Sequence, residues 1–288
     1  MSHSVWIDTD SHSLPMVGVD NQWATARISL QGANVMEYTP RGEKPIFWMS
    51  SQSYFETEKP IRGGVPICWP WFSVHPSDPT LPTHGFARLS TWSVAGSREL
   101  PDGSSEVTLK LTPCDIPPQF QTQPFLLRFI VTVGPQLTIA LEIINTGNQA
   151  LEFTGALHSY FNVSDIAKVS VTGLDRVRCF DSLIKKEVVQ QGAITFNGEF
   201  NRVYMDSEEE CVINDPGFSR RIRIAKSGSR STVVWNPWID KSKEMPDFGD
   251  DEYHTMLCVE TANARDDRRT IAPGAAHTLK AIISKEHL

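Results

Sequence analysis

Four side chains in this sequence could, if brought together, move protons around a small anionic molecule. His158 sits in LEFTGALHSYFNV (151–163) and Glu260 in MLCVETANA (256–264). A histidine and a carboxylate facing each other across a pocket can serve as general acid and general base. Arg62 and Arg88 bracket IRGGVPICWPWFSVHPSDPTLPTHGFAR (61–88), and a guanidinium presents planar donors suited to bidentate contact with a phosphate. Each also has a plainer reading. His158 falls on the polar side of its alternating segment, with Glu152, Thr154, Ala156 and Tyr160, and could be a surface or structurally bonded histidine. Glu260 could be one half of a cross-strand ion pair, and the arginines could be solvated or paired with nearby acids. The 102 positions between His158 and Glu260 make their meeting a tertiary question.

The 61–88 segment packs five prolines, three glycines, two histidines and two tryptophans around its arginines. It has neither a helical period nor sustained alternation, so it predicts an irregular, turn-rich path. Trp69, Trp71, Phe72 and Phe86 must bury surface, which argues for an ordered loop. RGG at 62–64 allows close backbone approach while Arg62 projects. His75 and His84 have no zinc-site spacing and no evident third ligand, so no metal is expected. Trp69, Trp71, Trp235 and Trp238 could stack on sugar rings or fill a core.

The elements that must position these groups are strands. SEVTLKLT (105–112) and QLTIALEI (136–143) alternate apolar and polar residues, as do ARISL (26–30), RIRIA (221–225) and TLKAII (278–283). Turn clusters such as PDGSS (101–105) and NTGNQ (145–149) separate them. Helical patterning is scarce; KSKEMPDFGDD (241–251) could hold one short turn at most. There is no internal repeat and no linker. The fold class expected is all-β, one domain spanning 1–288 as a sandwich of many strands.

Composition narrows the function classes. The apolar fraction of 40% and charged fraction of 21% are ordinary for a globular chain. A net charge of −7 disfavours nucleic acid and anionic membrane as partners, so an anionic ligand would need a local arginine pocket. The five cysteines are odd in number, scattered and without a CxxC pair, which suits a reducing compartment. MSHSVWIDTDSHSL lacks the basic and apolar regions of a signal peptide, and no apolar run approaches ~18 residues. The cytoplasm is the default location, and a monomer the default state. Asn162-Val163-Ser164 spells a glycosylation triplet that a cytosolic chain would never use. No GxGxxG, Walker loop or GxSxG elbow is present, and basic and aromatic residues are not interleaved as a single-strand nucleic-acid platform.

Taken together, RGGVPICWPWF, LPTHGFAR, GALHSYFNV, NRVYMD, VVWNPW and LCVETA resemble the aldose 1-epimerase family, and more narrowly its hexose-6-phosphate mutarotase branch. The matches run in the family's order from about residue 20 to residue 285. The resemblance implies a galactose-mutarotase-like β-supersandwich. It also implies cofactor-free interconversion of the α and β anomers of a phosphorylated aldohexose such as glucose 6-phosphate. The family's histidine and glutamate fall on His158 and Glu260, its phosphate-binding arginines on Arg62 and Arg88, and its HGFAR histidine on His84 near the sugar. Where the family usually has Asp-Arg-x-Tyr, this chain has Asn201-Arg202-Val203-Tyr204. Asn201 can bond a sugar hydroxyl but brings no charge.

Anomers exchange by opening the hemiacetal, turning C1 and reclosing. Concerted proton removal from the C1 hydroxyl and delivery to the ring oxygen avoids a high-energy ion. On this reading Glu260 is ionised, and His158 stays partly charged near neutral pH, helped by the nearby carboxylate. One rival is a non-catalytic carbohydrate-binding sandwich using the tryptophans as a platform. Another is a glycosidase pairing Glu260 with Asp165 or Asp206.

Overall fold

The computed structural model describes residues 4–9, 14–121 and 123–288. Strands dominate, and every pairing between named strands is antiparallel. One eight-stranded sheet runs, in spatial order, Ser170–Thr172, Cys211–Asp215, Arg220–Ser227, Ala276–His287, Leu137–Asn145, Phe125–Val133, Ser105–Leu111 and Ser93–Glu99. Its central strands show the alternation their sequences carry. In Ser105–Leu111, Val107, Leu109 and Leu111 are fully buried while Lys110 is exposed.

A second eight-stranded sheet carries Glu260. Its order is Lys186–Val189, Arg178–Asp181, Phe200–Tyr204, Ser231–Asn236, Met256–Asn263, Gly155–Leu157 and Ile67–Cys68, with Tyr160–Asn162 also pairing with Met256–Asn263. A four-stranded sheet covers Val5–Thr9, Pro15–Asp20, Ala24–Ser29 and Val35–Pro40, and Leu151–Phe153 pairs with Arg269–Ile271. The main core joins residues of both large sheets, among them Leu109, Phe129, Leu141, Leu157, Val259 and Ile283. A separate small cluster, Cys68, Ala156, Val203, Val233, Ala262 and Ala264 with Phe72 against it, belongs to the second sheet. All eight residues of Met256–Asn263 are buried. That strand has the main core on one face and a second covered cluster on the other.

The 61–88 segment is irregular and ordered. It contains only the two-residue strand Ile67–Cys68 and the 3₁₀ turn Ala87–Leu89. Trp69 and Phe86 are buried edge to face with ring centroids 5.5 Å apart, and Trp71 and Phe72 are half-buried. Two glycines permit its close passages. A Cβ on Gly64 (φ +64) would stand 2.6 Å from the Val35 carbonyl oxygen, and one on Gly85 (φ +74) 2.1 Å from that of Trp69. Only glycine accepts both the left-handed backbone and such contact.

The helical expectation is corrected. The α-helix is Trp238–Glu244, about two turns long, and begins ahead of the segment that sequence patterning singled out. Asn236 stabilises its start: the side chain accepts the Trp238 N–H at 2.9 Å and donates to the Tyr253 and Met256 carbonyls. Seven residues are too few for amphipathic periodicity to register. No helix among the described residues is long and apolar enough to cross a membrane.

Candidate active site

Strand register sets the geometry, because directly paired residues share a sheet face. One row crosses the second sheet as Phe180, Val203, Val233 and Glu260. A parallel row runs Ser231, Ala262, Ala156 and Cys68, and a third runs Asn201, Trp235, Cys258 and Tyr160. Small side chains therefore floor the site, and the polar ones rise among them. Ala156 and Ala262 have no exposed surface, so this face is sheltered rather than open to solvent.

His158 follows Gly155–Leu157, where the ladder breaks. Its N–H leaves the sheet and donates to the Pro66 carbonyl at 3.0 Å. The ring lies on the Glu260 face with Nε2 3.4 Å from Glu260 Oε1. Tyr160 stacks on it at 4.8 Å, and the His84 and Trp235 rings meet it edge on at 5.5 and 6.1 Å. His158 Nδ1 and Glu260 Oε2 are buried without a hydrogen-bond partner in the protein. Unsatisfied buried polar atoms carry a desolvation cost, and here they lie on the two groups best suited to proton transfer.

His84 comes from the loop, in left-handed backbone (φ 67). Its Nδ1 accepts the Ser73 N–H at 3.0 Å, which leaves Nε2 as the proton-bearing nitrogen. Burial and the charges of Arg88, His158 and Arg62 hold the ring well below the usual histidine range, so it is a neutral donor.

The two arginines differ. Arg62 binds Asp247 through Nε and NH2 at 3.0–3.1 Å and donates through NH1 to the Tyr160 hydroxyl at 3.0 Å. Burial works against its charge, but Tyr160 and Asp247 more than compensate and raise its pKa. Arg88 has no carboxylate partner among the described residues. It donates to the Thr83 carbonyl at 2.8 Å, its Nε is buried and unpartnered, and burial lowers its pKa. Arg62 thus keeps spare N–H groups but little net charge, while Arg88 brings an uncompensated one.

Asn201 is half-buried on Phe200–Tyr204, beside Trp235, and its side-chain amide makes no hydrogen bond to a described residue. Asp165 and Asp206 do not join Glu260. Asp165 pairs with Lys168, and exposed Asp206 pairs with Arg178 and Arg230. Of the tryptophans, Trp69 is core, Trp71 sits by His75 at 4.7 Å, Trp238 packs on Tyr253 and Trp235 borders the site. His158, Cys258 and Glu260 do offer a nitrogen, a sulfur and an oxygen within 4.8 Å of one another. Burial pushes the Cys258 thiol far up, and two guanidiniums face the group, so its electrostatics favour an anion over a cation.

Sequence reasoning missed Asp247, Tyr160 and Cys258. Tyr160 shares the His158 alternation and Cys258 lies two residues before Glu260, which is the signal each carries; Asp247 lies in an aperiodic loop 185 residues from its partner.

The aldose 1-epimerase family pattern matches residues 16–284. The chain belongs to the aldose 1-epimerase family. It is 37% identical over 270 residues to an Escherichia coli K12 protein named "Putative glucose-6-phosphate 1-epimerase", covering 93% of this chain and 90% of that one. A Cenchrus ciliaris protein of the same name is 37% identical over 259 residues, covering 86% and 78%. The crystal structure titled as a putative mutarotase (YeaD) from Salmonella typhimurium superposes with a TM-score of 0.91 at 32% identity, covering 100% of this chain and 95% of that chain. As an aldose 1-epimerase family member the chain is an isomerase, and its sheets form the family's galactose-mutarotase-like sandwich.

One electrostatic expectation, that the nearby carboxylate keeps His158 partly charged, runs against the burial of this site. Burial, then Arg88 and Arg62, push His158 down to about 3. Burial pushes Glu260 well above the usual carboxylate range, with Arg88 opposing. Desolvation and two guanidiniums therefore disfavour the charged form of His158, and desolvation disfavours that of Glu260. The charged groups facing His158 are Arg62 and Arg88, and the other titratable ones are Glu260, His84, Tyr160 and Cys258.

A stability experiment follows from the sign. A histidine that titrates near 6.5 unfolded and about 3 folded binds its proton first in the unfolded state, so its contribution is lost as pH falls through that window. Between pH 7 and 5 that amounts to about 2 kcal/mol. Urea unfolding of wild type and His158→Gln should show wild type losing up to that much more over this range. A pH-independent difference would show that His158 is not held neutral.

Proposed function

We propose that the protein is a hexose-6-phosphate 1-epimerase, interconverting the α and β anomers of a sugar such as glucose 6-phosphate. The observation carrying this reading is the buried His158–Glu260 contact of 3.4 Å, with the second polar atom of each group unpartnered, beside a guanidinium that no described carboxylate neutralises. The names of the similar proteins support the same substrate class.

The sugar phosphate lies on Arg88, with the spare donors of Arg62 completing the clasp. This remote contact seats C1 and O5 beside the His158–Glu260 pair. The Nε2–H of His84 and the amide of Asn201 bond ring hydroxyls. Two effects of the substrate then favour placing a proton on His158 rather than on Glu260. The phosphate offsets the guanidinium charge that depresses the imidazole, and the C1 hydroxyl donates to the carboxylate and favours its ionised form. These states differ only by one proton crossing 3.4 Å.

Glu260 next takes the C1 hydroxyl proton while the C1–O5 bond breaks and His158 protonates O5. C1 becomes an aldehyde carbon, rotates about C1–C2, and reclosure on its other face reverses both transfers. Each proton transfer contributes roughly 10²–10⁴-fold.

Exchange NMR of the anomeric protons of glucose 6-phosphate and glucose tests the reading. Exchange well above the buffer rate, with kcat/KM higher for the phosphorylated sugar, is expected. Saturable binding without accelerated exchange would leave a carbohydrate-binding sandwich. Equal constants for the two sugars would remove the phosphate assignment.

A further inference from the structure

Arg265 lies just beyond the strand that carries Glu260, in left-handed backbone (φ 54). Its guanidinium carbon stands 3.7 Å from the centroid of the Phe180 ring. Phe180 lies in the row Glu187, Phe180, Val203, Val233, Glu260, so its ring is on the same sheet face as the Glu260 carboxylate. Three strand spacings put the two backbones about 14 Å apart. Arg265 is therefore held at the outer lip of the site, on a platform that fixes its direction without cancelling its charge.

Among the described residues no carboxylate is within ion-pair distance of Arg265, although Glu187, cross-strand from Phe180, and Asp266, next in sequence, stand nearby. Arg265 is exposed, and the neighbouring acids are engaged elsewhere. Glu187, Asp206 and Asp266 surround Arg178, and Asp267 holds Arg269. Arg62 and Arg88 occupy the opposite flank. Arg62 bonds Tyr160, whose strand pairs with Met256–Asn263 beyond His158, and Arg88 follows the loop that docks on Trp69. Glu260 thus lies between a cationic clasp on one side and a single guanidinium without an ion-pair partner on the other.

We propose that Arg265, steadied on Phe180, is a specificity-determining residue that draws dianionic sugar phosphates to the mouth of the site before their phosphate reaches Arg88. This rests on the hexose-phosphate reading above. A chain of net charge −7 repels a dianion at long range, so capture gains from a fixed cation where the substrate enters. A unit charge acting on a dianion over ~10 Å in water changes local occupancy roughly 3- to 10-fold. With a Debye length of about 10 Å at 0.1 M salt and 3 Å at 1 M, the advantage fades as salt rises.

The test compares wild type, Arg265→Gln and Arg265→Lys by exchange NMR on glucose 6-phosphate and glucose, at low and at high ionic strength, with melting temperatures alongside. Arg265→Gln should lower kcat/KM for glucose 6-phosphate roughly 3- to 10-fold at low salt, with kcat nearly unchanged. It should leave glucose unaffected and converge with wild type at high salt. Arg265→Lys should retain most of the wild-type value. An unchanged low-salt kcat/KM in Arg265→Gln, or an equal loss on both sugars, overturns the inference while a wild-type preference for the phosphorylated sugar leaves the hexose-phosphate reading standing. Absence of that preference in the wild type overturns both.

Discussion

Glu260→Gln should slow the catalysed anomer exchange of glucose 6-phosphate by roughly two to four powers of ten while the fold stays intact. The amide matches the carboxyl in shape. Burial raises Glu260 and so favours its neutral form, which a neutral amide replaces at little cost to the resting protein. What disappears is a base able to take the C1 proton. His158→Ala should cost a similar factor through loss of the acid, and the double variant should be little worse than either single one, because the two groups act in a single step. Exchange NMR with unfolding curves on the same samples checks both statements. A Glu260→Gln protein retaining a third of wild-type activity would remove the carboxylate from the mechanism.

The second large effect belongs to Arg88. Arg88→Ala should raise KM for glucose 6-phosphate about 10- to 100-fold, the range of one charge-assisted contact, and leave the constants for free glucose nearly unchanged. Arg62 is the poorer probe even though sequence places the two arginines symmetrically. Its Asp247 partner is only 8% exposed, so Arg62→Ala strands a buried carboxylate and destabilises the protein as well as the site. Parallel KM measurements on the two sugars decide the point. A proportional rise on both would mean that Arg88 shapes the pocket rather than reading the phosphate.

Much of the architecture was legible because alternation is local. Val107, Leu109 and Leu111 announce their strand with nothing but period two, and the strand is where they place it. The loop was legible for a different reason, since prolines and glycines exclude regular structure and four aromatics exclude solvent. The short helix was anticipated only in its last turn, over 241–244, because its start depends on Asn236 bonding across to Tyr253 and Met256, a contact no local window contains. At the site, residue types and family motifs singled out His158, Glu260, Arg88 and His84, which the fold gathers. They could not show that Asp247 neutralises Arg62, or that burial leaves His158 uncharged. Both depend on long-range packing and on the loss of water, and neither leaves a mark on nearby sequence.

The alanine floor carries a consequence for how such a protein can change. Ala156 and Ala262 lie between Cys68 and Ser231 on strands whose reverse face is already filled. Both are fully covered, in a small cluster that Phe72 packs against, so a larger residue at either position has to displace those neighbours, and a smaller one leaves only glycine. Sequence change is therefore accommodated more readily at exposed border positions such as Val74, Thr80 and Asp266, where it meets solvent. The sheet beneath can stay constant while its border diversifies.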